Sequence, residues 1–235
     1  MNSRPDIKDA LKIFAIFLLL SLAVNMLIGS FIKTPPRTAL EFLYVIFFSH
    51  ILGVLVPVGV YIYSKGYNFT ETLNLRPVSL PVLLGISFIS IGFFLTLNIF
   101  QGLIEPLLEP YEEGMAAYQE FLVTLVLASK SPVDVFLLLL CIGIIPAVAE
   151  EVLFRGIILS GLKNSSTAAR AIVLSGLLFG IIHIFPPQVV SVSILGMFFG
   201  LLVVKTNSIV TAIWCHFLNN ALIILMLLIG APPRT

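Results

Sequence analysis

Long apolar runs separated by short polar breaks dominate this chain. A helix that crosses a bilayer needs about 20 consecutive apolar residues. On that criterion seven spans are predicted: Leu11–Ile32, Leu40–Tyr63, Leu80–Ile104, Val133–Leu162, Ala168–Ile184, Val189–Val204 and Ile209–Ile229. The sixth is short and glycine-rich, and a re-entrant segment is its alternative reading. Between the third and fourth runs, Glu105 to Asp134 holds five glutamates, Asp134 and one lysine, Lys130. Its middle, Tyr111 to Ala128, predicts an amphipathic helix lying on the membrane surface. Internal repeats and low-complexity tracts are absent. The expected fold is all-α, a polytopic transmembrane helix bundle of about seven spans, with six to eight as the range.

Composition sharpens this picture. The 235 residues are 59% hydrophobic and only 11% charged, against about 25% charged in soluble domains, and the mean hydropathy is +1.10. The lipid bilayer is therefore an expected partner. A net charge of +1 with no basic cluster gives nucleic acid nothing to bind. Cys141 and Cys215 both sit inside apolar runs and read as small core residues rather than as a disulfide or a metal pair. The first run follows Arg4, Lys8 and Lys12 and shows no small-residue cleavage pattern, so it is expected to be a retained helix. With the N-terminus cytoplasmic, Arg4, Lys8, Lys12, Lys65, Arg76, Lys163, Arg170 and Lys205 fall inside. Lys33, Arg37, Lys130 and Arg234 fall outside, so the positive-inside rule favours this orientation with the acidic loop outside.

Three polar islands interrupt the late runs: Glu150-Glu151-Val-Leu-Phe-Arg155, Phe179-Gly-Ile-Ile-His183 and His216-Phe-Leu-Asn-Asn220. A charge at mid-membrane costs roughly 3 kcal/mol on insertion scales, so the islands are expected to meet in one interior site. At 1.5 Å per residue, Glu150 lies about 18 Å from the Leu162 end of its helix. His183 lies roughly 22 Å, and His216 about 10–14 Å, from the starts of theirs. The depths allow convergence. Each island repeats an i, i+4 spacing that places the pair on one helical face. Glu151 and Arg155 fit an intrahelical salt bridge, a packing clamp being the plain alternative, and Glu150 is turned away toward another neighbour. Pro146 should kink the helix and expose a carbonyl. Gly176 and Gly180 beside Phe179 would let another helix approach closely. His50 has no comparable neighbour in sequence and reads as structural.

The ordered set Glu-Glu-x-x-x-Arg, Phe-x-x-x-His and His-x-x-x-Asn resembles the CPBP family: membrane proteins similar to type II CAAX prenyl endopeptidases and to bacterial homologues linked with bacteriocin self-protection. The resemblance covers roughly Val133 to Ile229, which separates residues 1–132 (N-terminal transmembrane helices and acidic loop) from a catalytic core at 133–230. It implies a glutamate-dependent intramembrane endopeptidase acting on a membrane-tethered protein or peptide. Glu150 would be general base on a water shared with His183, His216 and Asn220 would bind the oxyanion, and Glu151 and Arg155 would hold the first island in place. Adjacent Asn219 is the competing amide.

A metal-dependent version stays open, because Glu150, His183 and His216 suit catalytic zinc, although no His-Glu-x-x-His occurs. An aspartyl dyad is excluded by the positions of Asp6, Asp9 and Asp134 at or beyond the ends of the spans. Gly85-Ile-Ser87-Phe88 only superficially echoes a rhomboid serine site. Competing functions are a proton- or ion-coupled transporter and an inactive immunity or scaffold protein. Compactness and short loops point to a bacterial cell membrane.

Overall fold

The computed structural model describes residues 4–31, 39–104, 120–126, 129, 131–183 and 186–230. Helices order along the chain as α1 (Ile7–Phe31), α2 (Leu40–Ser64), the single turn α3 (Phe69–Thr72), α4 (Leu80–Ile104), α5 (Pro132–Ser165), α6 (Ala168–Ile181), α7 (Pro186–Thr206) and α8 (Ile209–Leu228). Among the described residues, six of these are long and apolar enough to cross a membrane. The chain is an integral membrane protein built as a helical bundle.

Two lengths differ from the sequence expectation. The short helix is α6, whose 14 residues rise only about 21 Å, whereas α7 runs a full 21 residues. Pro186 and Pro187 precede the expected span Val189–Val204, yet they open α7, because the first turn of a helix needs no N–H donors. Helix α6 stops at Ile181, so His183 lies in the turn beyond it, its N–H bonded to Gly180 O at 3.0 Å. Of the predicted surface helix Tyr111–Ala128, only 120–126 lies within the described residues. That stretch is helical and buries Leu122, Leu125 and Val126 against Leu138 and Leu227.

Wide π turns interrupt α2 at Ile51–Leu55 and α5 at Leu139–Ile144 and Val152–Ile158. The first two end two residues before a proline, Pro57 and Pro146. Proline has no N–H to give to the carbonyl four residues back and its ring crowds that group, and a π turn absorbs the misfit. The third π turn contains no proline. It carries Arg155 and begins at the residue after Glu151.

The main core joins early and late helices: Ile13 of α1 and Val54, Val58 and Ile62 of α2 are buried with Phe154, Ile157, Phe179, Phe199 and Ala212. Helices α6 and α7 meet closely through glycines. A Cβ at Gly176 would run into Met197 and the Ser193 carbonyl, one at Gly180 into Ser193 and the Val189 carbonyl, and one at Gly196 into Phe179 and Gly176. Gly180→Ala is therefore expected to lower stability by about 1–3 kcal/mol, read as an earlier thermal unfolding midpoint in detergent.

One end of the bundle is tied by polar contacts. Asp9 accepts from Tyr61 and Tyr67 at 2.6 Å each and pairs with Lys65 at 3.1 Å. Asn164 donates to Pro5 O at 2.7 Å, and Ser208 donates to Arg76 O at 2.6 Å. The phenol of Tyr67, beyond the end of α2, is pushed up to about 12 by burial and by its hydrogen bond to Asp9. It stays a neutral donor throughout the physiological range. Segments carrying Arg4, Lys65, Arg76 and Lys163 thus share one end.

Candidate active site

The three islands converge. Arg155 and Glu151 are fully buried and bonded Nη1 to Oε1 at 3.0 Å, the clamp expected from their i, i+4 spacing. The arginine also donates through Nη2 to Gly196 O at 2.7 Å on α7. Its guanidinium lies 4.6 Å from the centroid of the Phe179 ring and 5.5 Å from that of Phe199. Aromatic faces and a carbonyl thus replace water around a cation that lipid would otherwise reject.

His216 joins the same carboxylate from α8, Nδ1 to Glu151 Oε1 at 2.9 Å. A carboxylate accepts, so this nitrogen carries a proton. The imidazole stacks on Phe199, centroids 5.1 Å apart and planes at 20°. Its Nε2 lies 3.9 Å from Glu150 Oε2, so His216 bridges the adjacent glutamates. His183 is held the same way, with Nδ1–H donating to Phe179 O at 2.9 Å and the ring edge-on to Phe179 at 5.2 Å. It is half-buried and within electrostatic reach of Glu150.

Glu150 turns away from the clamp, as the sequence suggests, and meets His50. His50 Nε2 stands 3.4 Å from Glu150 Oε1, while its Nδ1 is 3.0 Å from Ile46 O. His50, expected to be structural, thus has Glu150 as a partner. The contact links residues 100 apart in sequence, so no local spacing announces it. The usable signal was depth alone: a histidine in the middle of an apolar run. Glu150 Oε2 and Glu151 Oε2 are buried and have no hydrogen-bond partner.

Asn220 lies one turn beyond His216 and donates from Nδ2 to Ile142 O at 3.0 Å. Ile142 is four residues before Pro146, so its carbonyl is the one the proline cannot serve. The exposed carbonyl predicted from Pro146 exists, and Asn220 occupies it. One N–H of the Asn220 amide remains for other use. Asn219 is buried and donates to Asn220 Oδ1 at 3.5 Å.

Among the described residues, no three His, Cys, Asp or Glu side chains are grouped so as to hold a metal ion. Glu151 takes up one nitrogen of His216, and Glu150 Oε1 faces His50. As arranged, Glu150, His183 and His216 form no such group among the described residues. Cys141 and Cys215 are free and buried, in line with their expected packing role.

A helical membrane bundle that gathers two carboxylates, a guanidinium and three imidazoles in its interior is a fold with a built polar site. Residues 132–222 match the family model "Type II CAAX prenyl endopeptidase Rce1-like", so that segment is similar to the CPBP, or CAAX-protease, family. No curated protein and no solved structure gives a significant match.

Proposed function

We propose that the protein is an intramembrane endopeptidase that hydrolyses a peptide bond of a membrane-tethered protein or peptide. The carrying observation is Glu150: a carboxylate inside the bundle with one oxygen fixed by His50 and the other unpartnered beside His216. The free oxygen is placed to take a proton from a water. That water's oxygen bonds to the scissile carbonyl carbon, and its proton passes to Glu150. The C–N bond then breaks as Glu150 returns the proton to the leaving nitrogen. His183, with Nδ1–H committed to Phe179 O, presents a bare Nε2 that orients the same water.

His216 is held through Nδ1 by Glu151 and turns Nε2 toward Glu150; an Nε2–H there, with the spare N–H of Asn220, would serve the oxyanion. Glu151 and Arg155 hold His216 in place and take no part in bond making. No step is routed through a metal. The cation-bearing end that holds Arg4, Lys65 and Lys163 is assigned to the cytoplasm, and the bacterial cell membrane is the proposed location.

His50→Ala removes the group that fixes Glu150 Oε1 and should cut the cleavage rate about tenfold, the worth of one charge-assisted hydrogen bond, with KM nearly unchanged. The reading itself is tested by incubating purified protein with membrane-tethered peptides, farnesylated CAAX peptides among them. Wild type, Glu150→Ala and His183→Ala are compared, each with and without a zinc chelator. Cleavage lost in both variants and indifferent to chelator supports it. Cleavage abolished by chelator and restored by zinc overturns the metal-free step. Cleavage retained by folded Glu150→Ala overturns the assignment of the base.

A further inference from the structure

Away from the candidate active site, a polar cavity of about 70 Å³ opens at the end of the bundle where the N-terminus, α3, the end of α5 and the α7–α8 turn meet. Its lining is unlike the rest of this apolar chain. Arg4 and Lys163 supply two cations, Glu71 one anion, and Asn164 and Asn207 amides. Among the described residues, neither Arg4, Lys163 nor Glu71 makes a salt bridge. Thr72 lines the same cavity at 1% exposure, and its hydroxyl has no hydrogen-bond partner. A buried, unpartnered hydroxyl is costly, and here its residue lines a cavity with room for several waters or one tetrahedral oxyanion.

The geometry points to a binding site for a phosphate group, with Arg4 and Lys163 neutralising its charge and the Thr72 hydroxyl donating to one of its oxygens. Arginine and lysine are the residues that recognise phosphate, the first by paired donors and the second as a point charge. The three rim charges sum to +1, enough to draw an anion but not to hold a multiply charged one tightly. Glu71 opposes a bare anion and favours a phosphate that carries an amine. The site sits at an end of membrane-crossing helices, within reach of lipid headgroups and of soluble phosphates alike. The shared chemistry is the phosphate, and the source is separable by experiment.

Full-length protein in detergent is titrated with inorganic phosphate, short-chain phosphatidylethanolamine, short-chain phosphatidylcholine, and sodium chloride at matched ionic strength, with the thermal midpoint as readout. A saturable rise beyond the chloride control is expected. Phosphate alone producing it identifies a soluble ligand, and a larger rise with phosphatidylethanolamine than with phosphatidylcholine identifies a headgroup. Arg4→Ala with Lys163→Ala, both at exposed positions, should keep the ligand-free midpoint and weaken apparent affinity at least tenfold. Thr72→Val should weaken it several-fold, and Glu71→Gln should tighten inorganic phosphate. No rise above the chloride control, or a rise undiminished in the double variant, overturns the site.

Discussion

Replacing Arg155 by methionine is expected to destabilise the protein by about 3–5 kcal/mol, enough to prevent recovery of folded material from membranes. The size follows from burial. Arg155 and Glu151 are both fully excluded from solvent, and the single change leaves the Glu151 carboxylate with only His216 to balance it. It also strips Gly196 O of its donor and removes the cation between the Phe179 and Phe199 rings. A paired change, Glu151→Leu with Arg155→Met, removes both charges and should recover a large part of the loss. The yield of folded protein extracted from membranes reads the single change, and thermal unfolding of the purified double variant in detergent reads the recovery. A folded Arg155→Met protein with an unchanged midpoint would show that the clamp does not hold the bundle together.

Glu150→Gln is expected to act in the opposite way, leaving stability nearly unchanged and lowering peptide cleavage by about 10²–10⁴, the usual contribution of a positioned general base. Glutamine keeps the shape and an oxygen for His50, but it cannot accept a proton from water. The adjacent Glu151→Gln should instead disturb folding, because Glu151 is shared by Arg155 and His216. Two neighbouring glutamates with separable phenotypes, one catalytic and one structural, follow directly from the turn of the helix between them. Equal loss of stability in both variants would contradict that division.

Much of this arrangement is legible in sequence, because lipid makes polar residues expensive. Glu151 and Arg155 announce each other by i, i+4 spacing, and Pro146 announces a freed carbonyl whose partner proves to be Asn220. Helix lengths are less legible at their ends. Pro186 and Pro187 break a helix interior but not a first turn, so α7 begins earlier than its apolar run suggests. The turn after α6 removes His183 from its helix while keeping its bond to Phe179 O. His50 was beyond local reasoning altogether. Its partner comes from a helix 100 residues away, and nothing within four residues marks it. The same holds for Phe199, whose place against His216 depends on how closely Gly176, Gly180 and Gly196 let α6 and α7 pack.

The most direct test of the proposed chemistry is hydrolysis of a membrane-tethered peptide in ¹⁸O-labelled water, read by mass spectrometry for wild type and Glu150→Gln reconstituted in liposomes. The account predicts two product peptides from wild type, the new C-terminal carboxylate carrying one ¹⁸O atom, and little or no product from the folded variant. Equal cleavage by Glu150→Gln would contradict it.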